Sequence, residues 1–309
     1  MSFVFFVVLS PFQAARGRLA AREDVCETGG HDKKRGEERQ MTQPWDTYLE
    51  AAVALARQAG ELLLDHQRHG FAVATKGNAI DLVTDADRAS EALVVAGIKA
   101  RFPDHAILAE EGGAQGAATA DDRPRWIIDP LDGTTNFAHG YPLYCCSIGV
   151  EVAGKVVAGV VEAPALGERF TATAGGGAYL EHQGNRHHLR VSEVGDLRQA
   201  LLVTGFPYDI GDRGDPPFTR FTRFVRAAQG VRRDGSAALD LCYVAAGRFD
   251  GFWEENLKPW DLAAGTCIAA EAGGQFSGLD GSPYSIHHGD IVVATPALHP
   301  AMVDIVRMD

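Results

Sequence analysis

Residues 126–137 read Trp126-Ile127-Ile128-Asp129-Pro130-Leu131-Asp132-Gly133-Thr134-Thr135-Asn136-Phe137. Two carboxylates stand three positions apart, directly after a short apolar strand and directly before a pair of hydroxyls. A strand that ends in Asp129, turns through Pro130 and Gly133 and exposes Asp132, Thr134 and Thr135 gathers hard oxygen ligands at one strand end, the donor type that Mg²⁺ selects. The stretch points to a metal-dependent phosphate site. Asp-Pro and Asp-Gly are also ordinary turn dipeptides, and a strand, turn and helix cap can use the same residues. Two further acidic settings favour the functional reading. Glu110-Glu111-Gly112 follows the apolar Ala106-Ile107-Leu108, and Asp261 opens a helix of small residues after Pro259-Trp260.

The chain has 309 residues, 46% of them hydrophobic, enough to bury a sizeable core in one large unit or two joined ones. Its formal charge of −12 argues against direct binding to a nucleic-acid backbone, which needs a basic face. An anionic substrate therefore requires a metal. Five cysteines, without paired C-x-x-C spacing, suggest neither a disulfide framework nor a structural zinc site, and a reducing cytoplasm is expected. The first forty residues differ from the rest. Phe3 to Leu9 is too short to span a membrane and forms a poor signal peptide, and Arg16 to Gln40 is charged and aperiodic. Residues 1–40 are expected to be a disordered extension, or Met41 the true start.

From Trp45 onward helices and strands alternate. Tyr48, Leu49, Ala52, Val53, Ala56, Leu62 and Leu63 predict a long amphipathic helix ending by Gly70, and a second helix fits Asp85 to Ala100. Ile107-Leu108 and Trp126 to Ile128 read as strands leading to the acidic sites. Ser147 to Val152, a turn at Ala153-Gly154-Lys155 and Val156 to Val161 read as a hairpin with further strands behind it. After Leu201 to Thr204 the pattern predicts helices at Phe218–Ala228, Ser236–Ala246 and Asp261–Ala272, strands at Phe249–Trp253 and Ile291–Ala294, and a last helix from Pro296. This predicts a single unit over residues 41–309, with an N-terminal half to about residue 190, a C-terminal half from about 191, and the active site between them.

Five segments carry a family resemblance: Lys76-Gly77-Asn78-Ala79-Ile80-Asp81-Leu82-Val83-Thr84-Asp85-Ala86-Asp87; Glu110-Glu111; Asp129 to Phe137; Arg233-Asp234-Gly235-Ser236-Ala237-Ala238; and Trp260-Asp261-Leu262-Ala263-Ala264-Gly265. In order and spacing, from about Trp45 to the C-terminus, they resemble the inositol monophosphatase family. The resemblance implies an α/β (α+β) fold, the five-layered αβαβα sandwich of the inositol monophosphatase and sugar phosphatase type. It further implies a homodimer and a lithium-sensitive hydrolase that releases phosphate from small-molecule phosphomonoesters with two or three Mg²⁺ ions per site. By motif position Glu110, Asp129, the Leu131 carbonyl, Asp132 and Asp261 are the implied metal ligands. Thr134, backed by Asp87 and near Glu110, is implied to orient and deprotonate a metal-activated water that attacks in line. The Gly133 and Thr134 amides are expected to face the phosphate. Asp132, the Gly235-Ser236-Ala237 backbone and Glu254 are implied to contact the alcohol, with Glu255 able to exchange roles with Glu254.

Several other groups invite a role. Lys76 is either a neighbour of the metals or phosphate or a surface lysine, Glu111 a partner behind the ligands, and Asp81 and Asp85 either site residues or, equally, helix-entry caps. His139 invites a general-acid role that the metal mechanism does not require. His187-His188 and His287-His288 read as surface, and Gly175-Gly176-Gly177 as a strand turn because no Lys-Ser or Lys-Thr follows it. A covalent aspartyl-phosphate route is excluded, since Pro130 stands where that chemistry needs a nucleophilic Asp. Thr135-Asn136-Phe137 favours myo-inositol 1-phosphate over nucleotide 3′-phosphates, while fructose 1,6-bisphosphate and histidinol phosphate stay open. A mainly binding role in transcription and ribosomal RNA processing, as in resembling bacterial suppressor proteins, is the alternative from another class. No membrane partner is expected.

Overall fold

The strand Arg125–Asp132 is buried along almost its whole length, on both faces. It pairs in parallel with Ala106–Ala109 and antiparallel with Cys145–Val152, inside an eight-stranded sheet. The sheet runs on through Lys155–Ala163, Glu168–Thr173, Gly177–His182 and Asn185–His188 by antiparallel pairing, and Gly113–Gln115 forms its other edge. The computed structural model describes residues 44–76, 80–115, 123–212 and 214–307. The expected N-terminal extension and the start at Met41 lie outside the described residues.

A sheet that is apolar on both faces needs a helical layer on each. On one face lie Asp46–His69 and Asp85–Arg101. Ala51, Leu55, Ala59 and Leu63 recur every four residues on the buried side of the first, which stops where Gly70 takes a φ of 96°. On the other face lie Pro259–Glu271 and Ala237–Ala245. The first of these approaches so closely that a Cβ at Gly159 would sit 2.9 Å from the Ala264 Cα, which is why small residues line both surfaces. Beyond these two helices comes a five-stranded sheet in the order Gly230–Arg232, Leu201–Thr204, Gly251–Glu254, Ile291–Ala294, Gln275–Ser277, parallel across the first three strands. Its far face is covered by Pro216–Ala227 and His299–Arg307, with Phe224 stacked on Trp253 at 4.0 Å between ring centroids.

The result is the five-layered α/β sandwich expected from the sequence. Its central core joins Ile127 and Val161 of one sheet, Leu241 and Ile268 of the middle helices, and Phe252 and Val293 of the other sheet. Each such side chain contributes roughly 1.5–3 kcal/mol by leaving water. Two local expectations are corrected. The second helix is capped by Thr84, in a reciprocal box with Asp87, and not by Asp81 or Asp85; Asp85 instead accepts the Ala72 amide at 3.1 Å. The last helix begins at His299, because Thr295 turns the chain first, donating through Oγ1 to the Val194 carbonyl at 2.7 Å.

Candidate active site

Side chains three apart on a regular strand point to opposite faces. Asp129 and Asp132 escape this because the pairing shifts between them: Asp129 lies opposite Ser147 and Asp132 opposite Cys145, three steps against two. The extra residue is a bulge that returns both carboxylates to one side. The Leu131 amide donates to Asp129 Oδ1 at 3.0 Å and fixes that carboxylate against its own turn. Gly133 follows with φ 89°, and a short helix, Thr134–Ala138, begins. Contrary to the expectation of an exposed turn, Asp132 and Thr134 are buried, and of the three residues expected there Thr135 alone is exposed. The strand continues through Asp132, where the start of the Ala237–Ala245 helix covers it. Ser236 Oγ and the Ala238 amide both donate to Asp132 Oδ2, at 2.7 and 2.8 Å.

Glu110, Asp129, Leu131, Asp132, Gly133, Thr134, Gly235, Ser236, Ala237, Glu254 and Asp261 line one cavity of about 440 Å³. Asp87 stands behind it. Thr134 Oγ1 is 3.1 Å from Asp87 Oδ1 and 3.0 Å from the Leu131 carbonyl. Asp87 Oδ2 is taken up by the Thr84 amide at 2.8 Å and the Thr84 hydroxyl at 2.5 Å. Burial raises the Asp87 carboxyl above its ordinary value, with the Thr84 donors opposing. A separate cavity of about 590 Å³, lined by Arg220, Asp280, Tyr284 and Arg307, meets the first at Glu255 and holds none of the predicted ligands.

The electrostatics of the cavity are unfavourable as it stands. Burial, followed by the charges of Glu110, Asp132 and Asp261, pushes Asp129 well above the carboxylate range. Burial and then Asp132 push Asp261 up to about 8, although the Lys258 amide donates to it at 2.6 Å. Glu254 is likewise pushed up to about 8 by burial, then by Asp261 and Asp132. Lys76 is one cationic neighbour, with Nζ 2.7 Å from Glu110 Oε1 and in contact with Glu111. Burial alone would lower its ammonium, and Glu110 and Glu111 together carry it above the ordinary value.

The sequence pattern of the inositol monophosphatase family matches residues 45–308. The chain belongs to the inositol monophosphatase family. It is 45% identical to the inositol-1-monophosphatase of Synechocystis sp., over 82% of this chain and 86% of that protein. It is 41% identical to the putative Nus factor SuhB of Neisseria meningitidis, over 84% and 97% respectively. The solved structure of the extragenic suppressor protein suhB from Bartonella henselae superposes with a TM-score of 0.77 at 34% identity, covering 85% of this chain and 99% of that one.

Members of this family are generally metal-dependent, and the donor set of this chain fits divalent cations. Carboxylates whose charge burial and mutual repulsion disfavour, beside a main-chain carbonyl, are hard oxygen donors whose repulsion a cation would relieve. Among the described residues no three acidic, His or Cys side chains close into a finished cage. The fit rests on their shared cavity and their repulsion.

The remaining candidates separate cleanly. Glu254 is buried in the cavity wall, whereas Glu255, which also lines the cavity, is ion-paired to Arg220 at 2.6 Å. Glu111 contacts Lys76, and its amide donates to Glu91 at 2.8 Å, so Glu91 braces the loop that carries Glu110. His139 is exposed and does not line the cavity. His287 is exposed, as expected, and its ring pairs with the buried Glu151 at 2.8 Å, outside the cavity lining. His188 packs edge-on against Tyr179. The Gly175 and Gly177 amides both donate to Glu271 at 2.9 Å, which leaves them no anion to bind. Sequence reasoning missed Asn136, whose Nδ2 donates to the Leu143 carbonyl at 2.7 Å and the Asp234 carbonyl at 2.8 Å and so ties the Asp234–Ser236 loop to the metal-site turn. An Asn inside a turn motif gives no signal of a partner 98 residues away.

Proposed function

We propose that this chain is a Mg²⁺-dependent phosphomonoester hydrolase whose substrate is myo-inositol 1-phosphate. The observation that carries the reading is the buried Thr134–Asp87 pair at the edge of a cavity of repelling carboxylates. Glu110, Asp129, the Leu131 carbonyl, Asp132 and Asp261 would hold the metal. Bound there, divalent cations would offset the charge of a dianionic ester and acidify a water.

The chain's own groups do the rest. With both lone-pair directions of Asp87 Oδ2 engaged by Thr84, its Oδ1 accepts the Thr134 proton. That orientation leaves the Thr134 oxygen free to accept a hydrogen from the attacking water and to aim it. The Gly133 and Thr134 amides stand at the helix start, where donors lack intrahelical acceptors, and would take phosphate oxygens. Ser236 and the Ala238 amide hold Asp132 in place, and Asn136 holds the Gly235–Ala237 backbone that is to meet the alcohol together with Glu254. Glu110, Asp129, Leu131 and Asp132 would come from a first half ending near residue 190, and Asp261, the Gly235–Ala237 backbone and Glu254 from a second half beginning near 191.

The test is phosphate release from myo-inositol 1-phosphate, fructose 1,6-bisphosphate, histidinol phosphate and adenosine 3′,5′-bisphosphate, with and without Mg²⁺, beside Asp132→Asn. Mg²⁺-dependent release that the variant abolishes is expected, greatest with the inositol ester. Turnover by Asp132→Asn would sink the reading.

The relatives named Nus factor favour a second reading, in which the protein also serves a partner in transcription. The acidic charge speaks against direct backbone binding to nucleic acid, not against a protein partner. Persistence of the cellular phenotype in an inactive Asp132→Asn strain would assign the biology to that role.

A further inference from the structure

The carboxyls that line the cavity differ in what they accept. Asp129, Asp132 and Asp261 each accept a backbone amide, from Leu131, Ala238 and Lys258 respectively. Asp240 differs. It is 1% exposed, lines the same cavity, and its Oδ1 is buried with no hydrogen-bond partner among the described residues. It stands one turn into the Ala237–Ala245 helix, whose other buried members are Ala, Leu, Cys and Val. A buried acceptor without a partner costs free energy that an apolar residue at this position would not incur. Its surroundings add to the cost: burial, then Asp234, Glu254 and Asp132, push its carboxyl well above the ordinary range, with Arg233 opposing. Packing gives no reason for a carboxyl here, whereas the cavity it faces does.

We propose that Asp240 is a specificity-determining residue for the alcohol half of the substrate, giving the cavity wall a second carboxyl, beside Glu254, that bonds a hydroxyl of a polyol leaving group. This inference rests on the phosphomonoester reading above. A carboxyl accepts a hydrogen bond from an alcohol hydroxyl in either protonation state, so two such groups match a leaving alcohol with several hydroxyls. A leaving group without hydroxyls leaves Asp240 unpaired, and sites built to bond a hydroxyl discriminate against such analogues.

The experiment compares Asp240→Leu and Asp240→Ala with the unaltered full chain in Mg²⁺. It measures kcat/KM for myo-inositol 1-phosphate and for 4-nitrophenyl phosphate, whose leaving group carries no further hydroxyl. The ratio of the two should move about tenfold against the inositol ester, the equivalent of one hydrogen bond. Because Leu removes an unsatisfied polar group, the thermal midpoint of that variant should hold or rise. Should Leu not fold, Ala supplies the same ratio. Calorimetric binding of free myo-inositol should weaken by a similar factor. A ratio that stays put, with both esters falling alike in a folded variant, would overturn the inference, as would unchanged myo-inositol affinity. If the unaltered protein hydrolyses neither ester, the phosphatase reading fails, and myo-inositol binding alone then decides the hydroxyl contact, with no binding overturning it.

Discussion

Replacing Thr134 by Val removes one oxygen and keeps the branched shape. The lost hydroxyl lies 3.1 Å from Asp87 Oδ1 and 3.0 Å from the Leu131 carbonyl. Asp87 keeps both bonds from Thr84, so the helix cap survives. What changes is that Oδ1 becomes a buried acceptor without a donor, at a cost of about 1–3 kcal/mol. In a chain of this size that lowers the thermal midpoint by roughly 2–5 °C. The catalytic effect is larger. A positioned proton acceptor contributes about 10²–10⁴-fold, so kcat for phosphate release at saturating Mg²⁺ should fall by that factor. KM should move little, because the hydroxyl handles the attacking water and not the alcohol. Thr134→Ser keeps the oxygen and should stay within about tenfold of the unaltered protein. A folded Val variant that keeps more than a tenth of kcat, or a Ser variant as slow as Val, would refute the Thr134–Asp87 relay.

Three other outcomes follow from the same geometry. Asn136→Ala strips the donor from two carbonyls, at about 1–3 kcal/mol, and loosens the Asp234–Ser236 loop; KM for the phosphomonoester should rise more than kcat falls, and an unchanged KM would contradict the clamp. Gly133→Ala puts a Cβ 2.8 Å from the Leu143 carbonyl at a φ of +89°, so the turn carrying Asp132 and Thr134 must shift and activity should be lost even where circular dichroism shows a folded protein; near-normal activity would contradict it. Glu254 and Asp261 have folded values near 8, above their unfolded ones. The metal-free fold therefore holds protons that the unfolded chain has released, and its stability should decline as pH rises from about 4 to about 8. Mg²⁺ at a hundredfold excess over Kd should restore about 2.7 kcal/mol, more at the alkaline end, where fewer protons compete. Thermal melts in EDTA and in Mg²⁺ across that range check both statements, and a flat profile without a Mg²⁺ shift would count against the carboxylate cluster.

The long helices were legible because their signal is local. Ala51, Leu55, Ala59 and Leu63 repeat on one face of Asp46–His69, and Gly70 marks its end. The short strands were not. Val73–Thr75 is exposed at every position, so it offers no alternation to read, and it is held as a strand by pairing with Leu82–Thr84. Gly113–Gln115, Gly230–Arg232 and Gln275–Ser277 are likewise three-residue edges that exist because a neighbouring strand supplies their hydrogen bonds.

The same division runs through the site. Asp129, Asp132 and Thr134 stand out as residue types in a row, but the row alone places the two carboxylates on opposite faces. The bulge that brings them together depends on Ser147 and Cys145, thirteen or more positions later, and nothing in Asp129-Pro130-Leu131-Asp132 spells it. Burial of Asp132 depends on residues still more distant, since Ser236 lies 104 positions away and the Ala238 amide 106. A carboxylate read as an exposed turn residue is therefore also the acceptor that anchors the start of the Ala237–Ala245 helix. The positions of Asp132 and of the loop meant to receive the alcohol are fixed by one set of hydrogen bonds. Substitutions at Ser236 should consequently disturb metal affinity and alcohol recognition together, a coupling that a list of motif residues cannot express.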